Sequence, residues 1–120
     1  MSIDPMPMKH LVAHFELALK EGRYFEAHEV LERLWFPRRH ERLDEVVLLR
    51  ACINAAVAFE LVKRGRMHSA QKPWQFYLRH RALVMRMPAT KNHHYKQLIQ
   101  AIERVGMMLF WVEDRRSDDT

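Results

Sequence analysis

The side chains best suited to chemistry lie in one segment, Tyr24-Phe25-Glu26-Ala27-His28-Glu29-Val30-Leu31-Glu32-Arg33-Leu34-Trp35. His28 and Glu32 are four residues apart, so on a helix an imidazole and a carboxylate stand one turn apart on the same side. Wound as a helix, Ala27, Val30, Leu31 and Leu34 form one apolar face, and Glu26, Glu29 and Arg33 turn away from it. His28, Glu32 and Trp35 then share the border between core and water. Gathered there, an imidazole, a carboxylate and an indole N–H could bind a small ligand. They could also exchange protons if burial raised the Glu32 carboxyl. The same trio could instead satisfy its own hydrogen bonds and lock this helix against a neighbour.

Metal binding is the sharpest chemical alternative. His10 and His14 repeat the four-residue spacing on the preceding segment. With His28 and Glu32 they would offer up to four nitrogen and oxygen ligands to Zn, Mn or Fe inside a bundle. The repeated Glu-x-x-His pattern of carboxylate-bridged dimetal bundles does not occur. Nucleophilic hydrolysis has little to work with. None of the three serines, Ser2, Ser69 and Ser117, lies in a strand-turn-helix elbow, and Cys52, the single cysteine, sits in an apolar run. Three isolated glycines make no phosphate-binding loop.

The elements that must hold these residues are all helices. No alternating strand pattern or hairpin signal occurs, and helical periodicity recurs, interrupted at Gly22, Pro37, Gly65 and Pro88. The spacing predicts a first helix over residues 8–21, buried through Leu11, Val12, Phe15, Ala18 and Leu19 and closed by Gly22. The motif helix follows and ends before Pro37. Residues 43–64 form a third helix, apolar nearly all round, which belongs at the centre of the bundle. Arg50 and Asn54 break its apolar surface at i, i+4, and Arg50 or Asn54 is expected to reach toward Glu32, Glu29 or His28 in one buried polar knot. A fourth helix over residues 67–87 shows no single buried face, and Pro73 either opens or kinks it. The last helix is expected to be capped by Thr90 and to run to about residue 114, with Leu98, Ile102, Val105, Leu109 and Val112 in the core. Met107 and Trp111 fall on its opposite face and suggest a homodimer surface.

The expected fold is therefore all-α: one domain of about five helices around a central third helix. Residues 1–8 form an N-terminal arm and residues 114–120 an acidic, flexible tail. At 120 residues, 48% hydrophobic and 29% charged, the chain can build a core without disulfides or metal. No secretory leader and no spanning segment is evident, which fits a reducing cytoplasm. The net charge is +5, and 18 bases face 11 acids once residues 113–120 are set aside. That excess allows weak binding of anions or nucleic acid through Arg38, Arg39, Arg42, Lys63, Arg64, Arg66, Arg79, Arg81 and Arg86, with Trp74 and Tyr77 available for stacking.

The block Gly22 through Trp35, with its Ala-His-Glu-Val-Leu-Glu core, resembles domain-of-unknown-function family 309, a set of small all-helical bacterial and archaeal proteins. The likeness extends over about residues 9–87 and includes the apolar third helix ending at Gly65. The family's hallmark His, two Glu and Trp correspond to His28, Glu29, Glu32 and Trp35. The third helix departs from the pattern: Arg50-Ala51 replaces Gln-Gly, Asn54 stands for a Gln, and Arg66 follows Gly65 in place of Asn. The resemblance implies a helical bundle and a functional or structural role for the His-Glu-Trp cluster, and it implies no reaction. A ligand-binding reading thus draws on His28, Glu29, Glu32, Trp35, Arg50 and Asn54, and a metal reading on His28, Glu32, His14 and His10. The alternative is a non-enzymatic interaction module in which the cluster is structural.

Overall fold

The computed structural model describes residues 7–111. Within them the chain forms five α-helices and no strand: α1 (Met8–Lys20), α2 (Tyr24–Trp35), α3 (Asp44–Lys63), α4 (Met67–His80) and α5 (Ala89–Gly106). The expected arm and acidic tail lie outside the described residues, apart from Pro7 and Met8. No helix described here is long and apolar enough to cross a membrane.

Helix α3 is the axis of the fold. It packs on α2, α4 and α5, and α1 bridges α2 and α5. Its small residues Ala51, Ala55, Ala56 and Ala58 are fully buried, which lets neighbouring helices approach closely. The stripe expected on α1 is buried as a set: Leu11, Val12, Phe15, Ala18 and Leu19. Gly22 and Gly65 close α1 and α3 with positive φ values of 75° and 78°. Each makes the paired C-terminal bonds of a Schellman turn. Arg23 N–H donates to Ala18 O and Gly22 N–H to Leu19 O, and Arg66 N–H to Leu61 O and Gly65 N–H to Val62 O. The two turns are tied together, because Lys63 Nζ donates to the Gly22 carbonyl over 2.8 Å. This bond fixes the start of α2 against the end of α3.

The second half of the chain departs from simple periodicity in three places. Helix α4 runs through Pro73, whose missing N–H leaves unpaired only the carbonyl of exposed Ser69. It then tightens into a 3-10 segment, Arg81–Arg86, so the fourth apolar run is two helical forms and has no single face. Helix α5 begins at Ala89, so Thr90 lies inside its first turn, with Pro88 in the N-cap position and its carbonyl accepting from Lys91 and Asn92. At its far end α5 widens into a π-helical turn, Met107–Trp111. The extra residue in that turn rotates the register. Phe110 is consequently buried, and Leu109, expected in the core, is only half-buried. Met107 is exposed as expected, the Trp111 side chain lies outside the described residues, and so does Val112.

The π turn serves an aromatic cluster. Phe110 stacks on Trp74 at 4.6 Å between centroids, Trp74 stacks on Tyr77 at 5.0 Å, and Phe59 meets Trp74 at 5.6 Å. Trp74 and Tyr77 are thereby core residues, 3% and 0% exposed, and neither is available to stack on a nucleobase. Two buried tyrosines link the helices through carboxylates. Tyr77 Oη donates to Glu103 at 2.5 Å, and Arg81 holds the same carboxylate at 2.9 Å. Tyr95 Oη donates to Glu45 at 2.6 Å, with Lys91 Nζ 2.9 Å and Arg38 3.3 Å from Glu45.

Candidate functional site

Helix α2 turns Ala27, Val30 and Leu31 into the core and leaves its polar border at the surface. His28 Nε2 lies 2.7 Å from Glu32 Oε2, so the one-turn pairing forms. His28 Nδ1 is buried and has no hydrogen-bond partner among the described residues.

The rest of the expected constellation does not assemble. Glu29 is exposed. Arg50 is exposed too, and its guanidinium lies 4.8 Å from the ring centroid of Phe76 on α4. Asn54 Nδ2 donates to the Arg50 carbonyl of its own helix. The polar knot expected between α2 and α3 is thus absent among the described residues, and apolar packing joins these helices. The reason is geometric. Val47, Arg50, Asn54, Val57 and Leu61 form one stripe of α3 that is not fully covered, so its polar members reach water instead of partners. Trp35 and Arg50 line a separate depression of about 430 Å³ over the connector, with Arg39 and Arg42.

The proposed metal quartet is likewise dispersed. His14 Nε2 bonds Glu26 Oε2 at 2.7 Å, and His10 is exposed on α1. Arg23 and then His14 hold the Glu26 carboxyl below its ordinary value by hydrogen bonding. Among the described residues no three His, Cys, Asp or Glu side chains come together in a way that could hold an ion. Burial of Glu32, on which an acid–base role depended, is also missing, since 46% of its side-chain surface is exposed.

A cavity does open beside His28. It measures about 180 Å³ and lies between α2 and α3, lined by Phe25, His28, Val57, Glu60, Leu61 and Arg64. Its walls are mainly apolar, and its rim carries the Arg64–Glu60 ion pair at 2.7 Å. Phe25, its ring tilted 56° to that of His28 with centroids 5.5 Å apart, leaves 53% of its surface in water. At the ~30 Å³ that one water occupies, the cavity holds roughly six non-hydrogen atoms, the size of one apolar side chain.

Phe25, Val57 and Leu61 were not singled out by sequence, though their spacing on two neighbouring helices was visible. Also missed were Glu45 and Glu103, the carboxylates that pair with buried tyrosines. Burial opposes ionisation of Glu45, but the Tyr95 hydroxyl, Lys91 and Arg38 outweigh it and hold the carboxyl below its ordinary value. Burial, and then the bonded carboxylates, push the Tyr77 and Tyr95 hydroxyls well above the ordinary tyrosine range. Cys52 lies wholly inside the core, where burial pushes its thiol up to about 12.

No curated protein and no solved structure matches the chain. A family described as a domain of unknown function, DUF309, matches residues 12–72, a span that contains the whole of α2 and α3 and every residue of the His28 cavity. That span is just over half of the 120 residues. The chain belongs to the DUF309 family.

Proposed function

We propose that the protein is a binding module whose α2–α3 groove receives an apolar side chain from a peptide segment of a partner. The observation that carries this reading is the cavity beside His28, sized for one such side chain and flanked by half-exposed Phe25. Recognition of this kind uses an aromatic or aliphatic anchor in a desolvated pocket, with polar groups at the rim. Here the anchor would rest on Val57 and Leu61, against the rings of Phe25 and His28. Glu60 and Arg64 would meet the flanking backbone. The family's His and Glu then have a supporting task, with Glu32 holding the His28 ring as one wall of the groove.

The reading is tested by NMR titration with N-acetyl-leucinamide and N-acetyl-phenylalaninamide as single-side-chain probes. Shifts confined to Phe25, His28, Val57 and Leu61, and lost in a cavity-filling Val57→Trp variant, support it. Shifts spread over the whole surface, or unaltered by Val57→Trp, reject it.

A second reading is favoured by a different observation. Exposed Leu17 and Met108 border a groove of about 900 Å³ between α1 and the end of α5, beside exposed Met107. This face fits self-association, with apolar side chains of two copies covering one another. Sedimentation of the protein and of Met108→Asp tests it: a dimer that the substitution dissociates supports it, and a monomer at every concentration removes it.

A further inference from the structure

We infer that the α2–α3 groove selects an acidic partner: the peptide segment that seats an apolar side chain beside His28 places carboxylates on Arg39, Arg42 and Arg50 at the other end of the groove. This inference rests on the docking reading given above and adds the charge and the spacing of the partner.

The register of the two helices joins the two ends. On α2, Phe25, His28, Glu32 and Trp35 follow at steps of three and four residues and so share one stripe. Val47, Arg50, Asn54, Val57 and Leu61 do the same on α3, where none is fully covered. The His28 cavity takes Phe25, His28, Val57 and Leu61 from these stripes, and the depression over the connector takes Trp35, Val47 and Arg50. The start of α2 therefore faces the end of α3. His28 to Trp35 and Val57 to Arg50 are both seven residues, or ~10.5 Å of helix. The groove has an apolar end and, two turns away, an end lined by Arg39, Arg42 and Arg50.

Positive charge is in surplus there after every pairing is counted. The carboxylates at that end are Glu41, Asp44 and Glu45. Arg38 lies 3.4 Å from Glu41 and 3.3 Å from Glu45, Arg86 3.1 Å from Asp44, and Lys91 2.9 Å from Glu45. Three acids thus meet three cations, and no carboxylate among the described residues pairs with Arg39, Arg42 or Arg50. Their three charges face only that of Glu32, which sits midway along the groove beside His28. Two of the guanidiniums are already placed. Arg39 donates to the Phe36 carbonyl over 2.7 Å and lies over the Phe36 ring, and Arg50 lies over the ring of Phe76. Neither contact cancels the charge, and each guanidinium keeps N–H donors for a carboxylate. Glu32 in the middle of the groove and Glu60 at the apolar end oppose a continuous polyanion such as a nucleic-acid strand. A peptide can carry its acids at one end only.

The test is NMR titration of the full chain at low salt with Ac-Leu-Gly-Gly-Glu-Glu-Glu-amide, its Gln and Lys counterparts, and all three in reversed order. Two glycines put the first acid three extended residues, about 10 Å, from the leucine. In one of the two orders the Glu peptide should bind about tenfold more tightly than the Gln peptide, and the Lys peptide more weakly than either. The Nε–H signals of Arg39, Arg42 and Arg50 should shift together with the amides of His28 and Val57. The advantage should shrink as salt is raised and vanish in the triple variant Arg39→Gln, Arg42→Gln, Arg50→Gln. Equal binding of the Glu and Gln peptides, while N-acetyl-leucinamide still shifts Phe25 and His28, overturns the acidic preference and leaves the docking reading standing. Absence of the leucinamide shifts removes both. Equal shifts at Arg79 and Arg104, or tighter binding of a thymidylate dodecamer than of the Glu peptide at these three arginines, would also overturn the assignment.

Discussion

Gly106→Ala should destabilise the protein, although the same change in an ordinary helix would strengthen it. Gly106 is buried in the last turn of α5 with helical backbone angles, so alanine would gain about 1 kcal/mol of helix propensity. Against that, a Cβ at this position would fall 2.5 Å from Cη2 and 2.9 Å from Cζ2 of Trp74. Carbon atoms prefer separations of about 3.5–4.0 Å, so the overlap is roughly 1 Å. The indole cannot swing aside. It is held between Phe110 at 4.6 Å and 5° and Tyr77 at 5.0 Å and 23°, with Phe59 beside it. Overpacking of this kind costs about 1–3 kcal/mol, and a clamped ring belongs at the upper end. The net loss is about 1–2 kcal/mol, or roughly 4–8 °C in Tm for a chain of this length. Urea unfolding of the four members of a double-mutant cycle with Trp74→Phe provides the assay, since phenylalanine lacks the benzo carbons that clash. Alanine should be stabilising in the Trp74→Phe background, giving a coupling of about 2–3 kcal/mol. A Gly106→Ala protein more stable than the original, or a cycle additive within about 0.5 kcal/mol, would refute the packing argument.

Glu45→Gln should cost about 1–3 kcal/mol at pH 7 by weakening its charge-assisted bonds, measured by urea unfolding. Because the folded carboxyl titrates below its unfolded value, its contribution is present above the unfolded pKa and lost as pH falls through the folded one. The variant should therefore show a flatter stability profile on the acid side. For Tyr77 and Tyr95 the sign is reversed: their raised values stabilise the fold below the unfolded tyrosine pKa and fail as pH rises toward the folded ones. Their ultraviolet ionisation should coincide with alkaline unfolding, and titration before unfolding would contradict the buried pairs. Cys52, fully buried with its thiol pushed up to about 12, should react with a thiol reagent only at the rate of global opening. Phe25→Ala should leave urea unfolding nearly unchanged, because over half of that side chain is already in water, yet remove the probe-induced shifts at His28.

What could be read from sequence was local. The α1 stripe, the two glycine-closed helix ends and the one-turn pairing of His28 with Glu32 each depend on residues within a few positions of one another. The errors came from tertiary context. Arg50 and Asn54 were placed in a buried knot on the premise that an apolar helix is covered all round, but one stripe of α3 is left partly open. The π turn at Met107–Trp111 exists where Phe110 stacks on Trp74, a contact between residues far apart in sequence. Glu45 and Glu103 looked like ordinary surface carboxylates on helices. The usable signal was Tyr95, in register with Leu98 and Ile102, because a tyrosine in a core stripe requires a partner for its hydroxyl. The metal quartet failed because matching spacings on α1 and α2 say nothing of which faces meet. His14 faces Glu26, not His28.

The claim that the α2–α3 groove is a docking site is tested most directly by photo-crosslinking in the native cell. A benzoyl-phenylalanine is placed at position 25, on the rim of the groove, or at position 96, exposed on α5. The account predicts a discrete crosslinked product from position 25 that disappears when Val57→Trp fills the cavity, and no such product from position 96. The same products from both positions, or a product from position 25 that survives Val57→Trp, would contradict it.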